Sequence, residues 1–519
     1  MTPSTTTHLR ISAVAVVVLL GTAACSRDPY VPGQAEEVLG VSMGAVRNAI
    51  DARLDSGEAP TWVTEDRWKR VKKLYANWNH APLWLEPEGV RDRATALLRV
   101  LDEAPRHALE TEGYPLDSIR LVVGDGKLEK TESAAALAEA DVLLTAAYVG
   151  YATDMLLGQI DPKTVSQNWH IPQRTSEIDS ALVRSLQSPS MEEGLRAMAP
   201  QEEGYAQLTR EYTRYQQIVA AGGWRKLEGS RDRAAAAERL RIEGFEADTA
   251  DLSGALETYQ ERHGLEQTGK LDGRTLRALN VPAVERLKQI AINVERHRWL
   301  PRSLGSRYIY VNVPAFRLEA YDLGQKALEM KVVVGAEYDG RATPVFADSM
   351  EFAVFRPYWN VTPNIAANEF FPKYGNSLPA GYEFWREDGQ LRIRQRPGEK
   401  NSLGLVKFMF PNSFNIYLHD TPAKSLFQRA DRAASHGCIR VAEPARLAEF
   451  VLGWDGGRVD DAMHGSNNNH VKLPSKIPVY IVYFTAYMRD GHLHFSDDVY
   501  DRDDPLQEKR DSVPPRVAA

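Results

Sequence analysis

Cys438 is one of two cysteines in a chain of 519 residues, and it sits in the run Ser435-His436-Gly437-Cys438-Ile439-Arg440. A thiol becomes a nucleophile when a base takes its proton, and two candidate bases are at hand. His436 lies in the same run and His419 lies upstream. Gly437 lets the backbone come close to a reacting carbonyl, and the amides of Gly437 and Cys438 are placed to hold an oxyanion. This is equipment for acyl transfer. Spacing alone leaves the choice between His419 and His436 open, and an inert buried thiol beside a loop histidine has the same local sequence.

The wider context narrows the choice. Asn415-Ile416-Tyr417-Leu418-His419-Asp420-Thr421-Pro422 reads as a strand running into a turn, followed by a polar loop and then the cysteine run. Residues two apart on a strand share a face, so Tyr417 and His419 are expected to point together toward Cys438. The order His, spacer, Ser-His-Gly-Cys and Arg resembles the signature of L,D-transpeptidases, the cysteine enzymes that cross-link bacterial peptidoglycan. Residues 407–441 most resemble the large, multidomain branch of that family.

The resemblance implies Cys438 as nucleophile, His419 as general acid/base and the Gly437 backbone as oxyanion donor. A neighbouring imidazolium would lower the thiol pKa from ~8.5 toward neutrality. His436, Ser435 and Tyr417 would line the pocket. Arg440 is open between a substrate carboxylate and a structural salt bridge. Asp420 is open between orienting His419 and lying solvated in its turn. Trp359 and Asn360 are candidates for the donor groove, with core packing the alternative for Trp359. The implied substrates are peptidoglycan tetrapeptide stems, as donor and as acceptor, with carbapenem β-lactams as inhibitors. The implied product is a 3→3 cross-link. Two other functions use the same residues: an L,D-carboxypeptidase or endopeptidase with water as acceptor, and a wall-binding lipoprotein whose catalytic module is secondary. No cofactor is expected. His464 and His470 have no third ligand and no helical spacing, so no metal is expected either.

The elements that must position these residues divide the chain. From Arg307 the hydrophobic period is two, with Tyr308, Tyr310 and Asn312 alternating with Ile309, Val311 and Val313. Residues 306–496 therefore read as a mostly β catalytic domain. Its segment 362–404 is long for a connection between strands and carries many aromatics, which suits a capping insertion over the site. Upstream the period is helical. Residues 61–220 resemble the helical scaffold domain of the large L,D-transpeptidases, and 221–282 resemble a small helical peptidoglycan-binding module. A connecting helix is expected within 283–305. The fold class is multidomain α+β, with 26–60 expected as a tether that includes a candidate helix at 42–54, and 497–519 as a charged, frayed tail.

Composition bounds the partners. The formal net charge is -7 and no basic stripe runs along the chain, which argues against nucleic acid. Residues 1–25 read as an export signal, with a weakly basic start and a short apolar core. Gly21-Thr22-Ala23-Ala24 before Cys25 resembles a lipoprotein signal, and Ser26 after it resembles outer-membrane sorting in Gram-negative bacteria. The expected location is the periplasm, with the membrane engaged only through a lipid on Cys25. Cys438 would then be the one free thiol, as a nucleophile requires.

Overall fold

The computed structural model describes residues 34–56, 58–90, 92–124, 133–337, 341–375 and 377–512. The export signal, Cys25 and the last seven positions of the tail lie outside them.

The helical region is built around α3, Ala134–Leu157, against which α1 (Met43–Ser56) and α2 (Glu65–Ala76) pack. α3 is apolar on nearly every face, and 72% of its most hydrophobic window is buried inside the protein. A helix apolar all round belongs in a core. Its fully buried Asp141 accepts the Leu83 and Trp84 amides at 2.9 and 2.8 Å and the Tyr75 hydroxyl at 2.6 Å. Those bonds satisfy the carboxylate and anchor the chain between α2 and the next turn. The tether expected over 26–60 ends early. Val46, Ile50 and Leu54 lie at 2% exposure or less in the same core, because α1 carries its apolar residues three and four apart, and Val38 just before it is buried there too.

After α4 (Glu203–Ala220), three short helices form a unit with its own core: α5 (Arg233–Ile242), α6 (Ser253–Arg262) and α7 (Gly273–Leu279). Asp272 caps α7 by accepting the Arg274 and Thr275 amides at 3.0 and 2.9 Å. The helix expected as a connection, α8 (Ala283–Arg298), is more than that. Its Ile290, Ala291 and Val294 sit in the helical core while Ile292 sits in the core of the β domain, so one helix ties the two cores together.

The β domain contains β1 (Tyr308–Asn312), β2 (Arg317–Asp322), β3 (Gln325–Gly335), β4 (Phe346–Phe355), β5 (Trp359–Asn360), β6 (Tyr382–Glu387) and β7 (Gln390–Gln395). It continues with β8 (Val406–Met409), β9 (Leu418–His419), β10 (Ala433–Ser435), β11 (Ile439–Val441) and β12 (Asn469–Val482). The main sheet runs β10-β3-β11-β9-β8-β4-β12-β1-β2, and β2 also pairs with β3, which closes the sheet on itself. Alternate residues of these strands fill its interior. Phe408, Leu418 and Ile439 are 0% exposed. The strand expected from Asn415 toward the turn after His419 is shorter than its sequence suggests. Asn415 takes a left-handed φ of 55°, and the Asn412 side chain holds Phe414 and Ile416 in a turn, leaving Leu418–His419 as the paired part.

Residues 363–374 form one irregular helical stretch, and β6 and β7 form a hairpin that also pairs with β5. Together they enclose a separate small core of Val361, Ala366, Phe370 and Ile393. The aromatics of 362–404 mostly serve this core, with Tyr374, Tyr382 and Phe384 packed against it, as is Trp359 just before the segment.

The expectation of a frayed tail from 497 is overturned for its described part. A helix, α9 (Asp503–Asp511), docks with Leu506 at 1% exposure. Arg296 of α8 donates to Asp503 at 2.6 Å, and Arg510 donates to Glu110 in the scaffold at 2.5 Å. Charge that looked like solvation is spent on ion pairs with two other units.

Candidate active site

The cleft of about 670 Å³ between the sheet and the inserted 362–404 segment gathers Tyr417, His419, Ser435, His436, Cys438 and Arg440 from the motif, and Trp359 and Asn360 from β5. Strand register explains why. On β8, β9 and β11, Lys407 pairs with His419 and His419 pairs with Arg440. Residues in register across neighbouring strands share a face, so these three side chains stand in a row. Their sequence neighbours Phe408, Leu418 and Ile439 take the opposite face and fill the core. Cys438 lies two residues before Arg440, at the mouth of β11, and opens into the same cleft.

His419 is held as a neutral imidazole. Its Nδ1 lies 2.5 Å from the carbonyl oxygen of Asp420, which only accepts, so Nδ1 carries the proton and Nε2 keeps its lone pair. Burial pushes this imidazole down to about 3, and the charge of Arg440 adds to the effect. Burial also pushes the Cys438 thiol up, offset in part by hydrogen bonding from Tyr417 and by the charges of Lys407 and Arg440. The resting pair is therefore thiol and imidazole, and the lowering of the thiol expected from an imidazolium is reversed by desolvation.

Asp420 orients His419 through its backbone and is itself buried. Its side chain accepts the Thr421 and Leu405 amides at 2.7 and 2.8 Å and Lys424 Nζ at 2.6 Å. A Cβ on Gly404 would meet this carboxylate at 2.3 Å, which is why glycine stands where the inserted segment returns to the sheet.

The nucleophile loop is tied from inside. Ser435 Oγ donates to the Cys438 carbonyl at 2.6 Å and accepts the Gly437 amide at 3.2 Å. Two roles shift as a result. Ser435, a candidate for substrate contact, holds the turn. The Gly437 amide, a candidate oxyanion donor, is engaged within the loop, while the Cys438 amide has no partner among the described residues. Gly437 remains required, because its φ of +112° is one that side chains resist. Its carbonyl accepts Thr343 Oγ1 at 2.9 Å, and the Tyr500 hydroxyl donates to the Gly335 carbonyl beside it at 2.6 Å.

His436 faces the inserted segment. Its Nε2 lies 2.6 Å from Glu369 Oε1, and Arg341 donates to the same oxygen at 3.0 Å. A ring held there is poorly placed to serve as base. Trp359 reaches the cleft and also packs in the inserted core, with ring centroids 6.1 Å from Phe370. His464 bonds to its own helix, and His470 stacks on Phe352. Among the described residues no group of three or more metal-ligating side chains converges.

Four residues around the site escaped the sequence: Lys407, Glu369, Arg341 and Thr343. Only Lys407 left a signal, as a lone charge in the apolar run Leu405-Val406-Lys407-Phe408-Met409.

Residues 306–481 match the model of the L,D-transpeptidase catalytic domain, and residues 69–211 match that of a scaffold domain. The chain carries an L,D-transpeptidase catalytic domain. A Haemophilus influenzae protein with the provisional name L,D-transpeptidase is 31% identical over 240 residues, 42% of this chain and 48% of that one. The chain thus matches about half the length of this curated relative. Two solved structures are also similar to it. The Ldtfm–avibactam carbamoyl enzyme is 13% identical, over 36% of this chain and 51% of that one, with a TM-score of 0.19. The L,D-transpeptidase of Xylanimonas cellulosilytica, residues 123–326, is 16% identical, over 49% and 95%, with a TM-score of 0.18. The cleft, its cysteine and its neutral histidine all belong to the L,D-transpeptidase domain.

Proposed function

We propose that this chain forms 3→3 cross-links between peptidoglycan stems through an acyl-enzyme on Cys438. The geometry that carries the reading is that His419, its Nδ1 engaged by the Asp420 carbonyl so that Nε2 is turned to other work, lines one cleft with the Cys438 thiol.

His419 Nε2 takes the thiol proton as sulfur attacks the carbonyl of the third stem residue, a diaminopimelate attacked at its L-centre. The Cys438 amide donates to the oxyanion. Collapse breaks the peptide bond, and the departing D-Ala amine takes the proton from His419. The side-chain amine of a second stem then attacks the thioester and passes its proton to His419 as sulfur leaves. Carbapenems acylate the same sulfur. In this reading Cys25 is lipidated and holds the protein to the periplasmic side of a Gram-negative outer membrane. The small residues before Cys25 and the Ser26 after it support that.

The test is mass spectrometry of muropeptides from cells carrying the wild type or Cys438→Ala, with intact-protein mass after carbapenem treatment. The expected outcome is 3→3 dimers and a single drug adduct in the wild type, and neither in the variant. Tripeptides without dimers would assign the thiol to hydrolysis instead.

A further inference from the structure

The cleft holds a cation that the proposed chemistry does not use. Lys407 lies in the middle of the sheet, in register with His419 on one side and Val354 on the other. Its neighbours along the strand, Val406 and Phe408, are 0% exposed, and the ammonium projects from the same sheet face as His419 into the cleft. Nζ lies 5.4 Å from the centroid of the Tyr417 ring, and no carboxylate of the described residues pairs with it. On the far side of His419, Arg440 is in the same position. It lines the cleft, it has no ion pair among the described residues, and its Nε is buried without a hydrogen-bond partner. Arg341, which also lines the cleft, is by contrast paired with Glu369.

Lys407 and Arg440 are both part-buried, and taking a cation out of water is costly unless an anion compensates it. No carboxylate of the described residues does so, and the group whose charge bears on both, the Cys438 thiol, is held protonated by burial, so the open compensation is a ligand's. Two such cations flank one catalytic imidazole in a single cross-strand row. With neighbouring strands about 4.8 Å apart, the row spans about 10 Å between the outer backbones. Two carboxylates on either side of a peptide bond fit that separation.

We propose that Lys407 and Arg440 form a paired anion subsite that selects an acyl donor with one free carboxylate on each side of the scissile bond, Lys407 holding one of them. The inference rests on the proposed acyl transfer and adds to it a requirement on the donor. A stem peptide meets it with the terminal carboxylate of the leaving residue and the second carboxylate of the residue that is attacked. Amidating either group removes the charge while keeping the size.

The experiment measures kcat/KM for release of the terminal residue from three synthetic tetrapeptides. One has both carboxylates free, one is amidated at the terminus, and one is amidated on the attacked residue. Each is given to the wild-type full chain, to Lys407→Met and to Lys407→Arg. Charge-assisted hydrogen bonds of this kind are worth about 10- to 100-fold in rate. The wild type is expected to lose that factor on either amidation. Lys407→Met is expected to lose it with the doubly free peptide, to lose nothing further when one carboxylate is amidated, and to stay sensitive at the other. Lys407→Arg is expected to recover part of the loss. Equal residual sensitivity of Lys407→Met at both carboxylates overturns the proposal. So does an equal loss with all three peptides accompanied by slower alkylation of Cys438 by iodoacetamide, which would make Lys407 a support for the thiolate. A wild type that turns over none of the peptides refutes the acyl-transfer reading itself.

Discussion

Burial raises the Cys438 thiol and lowers the His419 imidazole, so each favours its uncharged form at rest. That distinguishes this site from one with a standing thiolate. A group whose pKa is raised is deprotonated only at higher pH, so the thiolate fraction near neutrality is small and grows with pH. We therefore expect inactivation by iodoacetamide to climb with pH and to be climbing still above the ordinary thiol value of about 8.5. A plateau between pH 6 and 7 in the measured rates would mean an ion pair instead. His419→Ala should slow peptide turnover by about 10²–10⁴, the usual share of a positioned acid–base group. His436→Ala should act mainly on KM, since its ring is engaged with Glu369.

The inserted element is a small folded body. Its own core of Val361, Ala366, Phe370 and Ile393 lets it keep its shape while lining the cleft with Asn368, Glu369 and Trp385. Its polar link to the nucleophile loop is Glu369, shared by His436 and Arg341. A thioester survives when the bound amine reaches it before water does, and a closed cover favours the amine. Replacing 362–404 by a short Gly-Ser linker should leave Cys438 reactive toward iodoacetamide and raise tripeptide relative to 3→3 dimer. Glu369→Gln should shift the ratio in the same direction by a smaller amount, because it weakens the link and leaves the cover folded. An unchanged ratio in both variants would make the element scaffolding only.

Across the whole molecule the catalytic loop is braced by residues far from it in sequence. The Tyr500 hydroxyl bonds Gly335, Thr343 bonds both Gly335 and Gly437, and the α9 helix that follows is pinned to α8 and to the scaffold. The C-terminal segment is thus a clasp joining scaffold, α8 and active site. Leu506 is its apolar anchor. Truncating a buried leucine to alanine costs about 2–5 kcal/mol. Leu506→Ala should lower Tm by several degrees and reduce turnover at temperatures where the folded protein still dominates, both read by thermal melts alongside peptide assays. Lost stability with fully retained turnover would show that the clasp does not reach the loop.

What the sequence determined by itself was local. Helical period marked the region upstream of the strands, alternation marked the strands from Tyr308 onward, and the motif singled out Cys438 and His419. These are read from neighbours a few residues away. What only the tertiary structure decided depended on residues brought from afar. The register of three strands put Lys407, His419 and Arg440 in one row. The Ser435 hydroxyl took the Gly437 amide, so that of the two candidate amides the one of Cys438 is left open among the described residues. Segments at both ends of the described chain, expected as part of a tether and as a charged, frayed tail, are packed, because their partners, α3 for one and Arg296 and Glu110 for the other, lie dozens to hundreds of residues distant. Desolvation reversed the expected state of the thiol for the same reason: burial is a property of the folded surroundings, and no sequence window contains them.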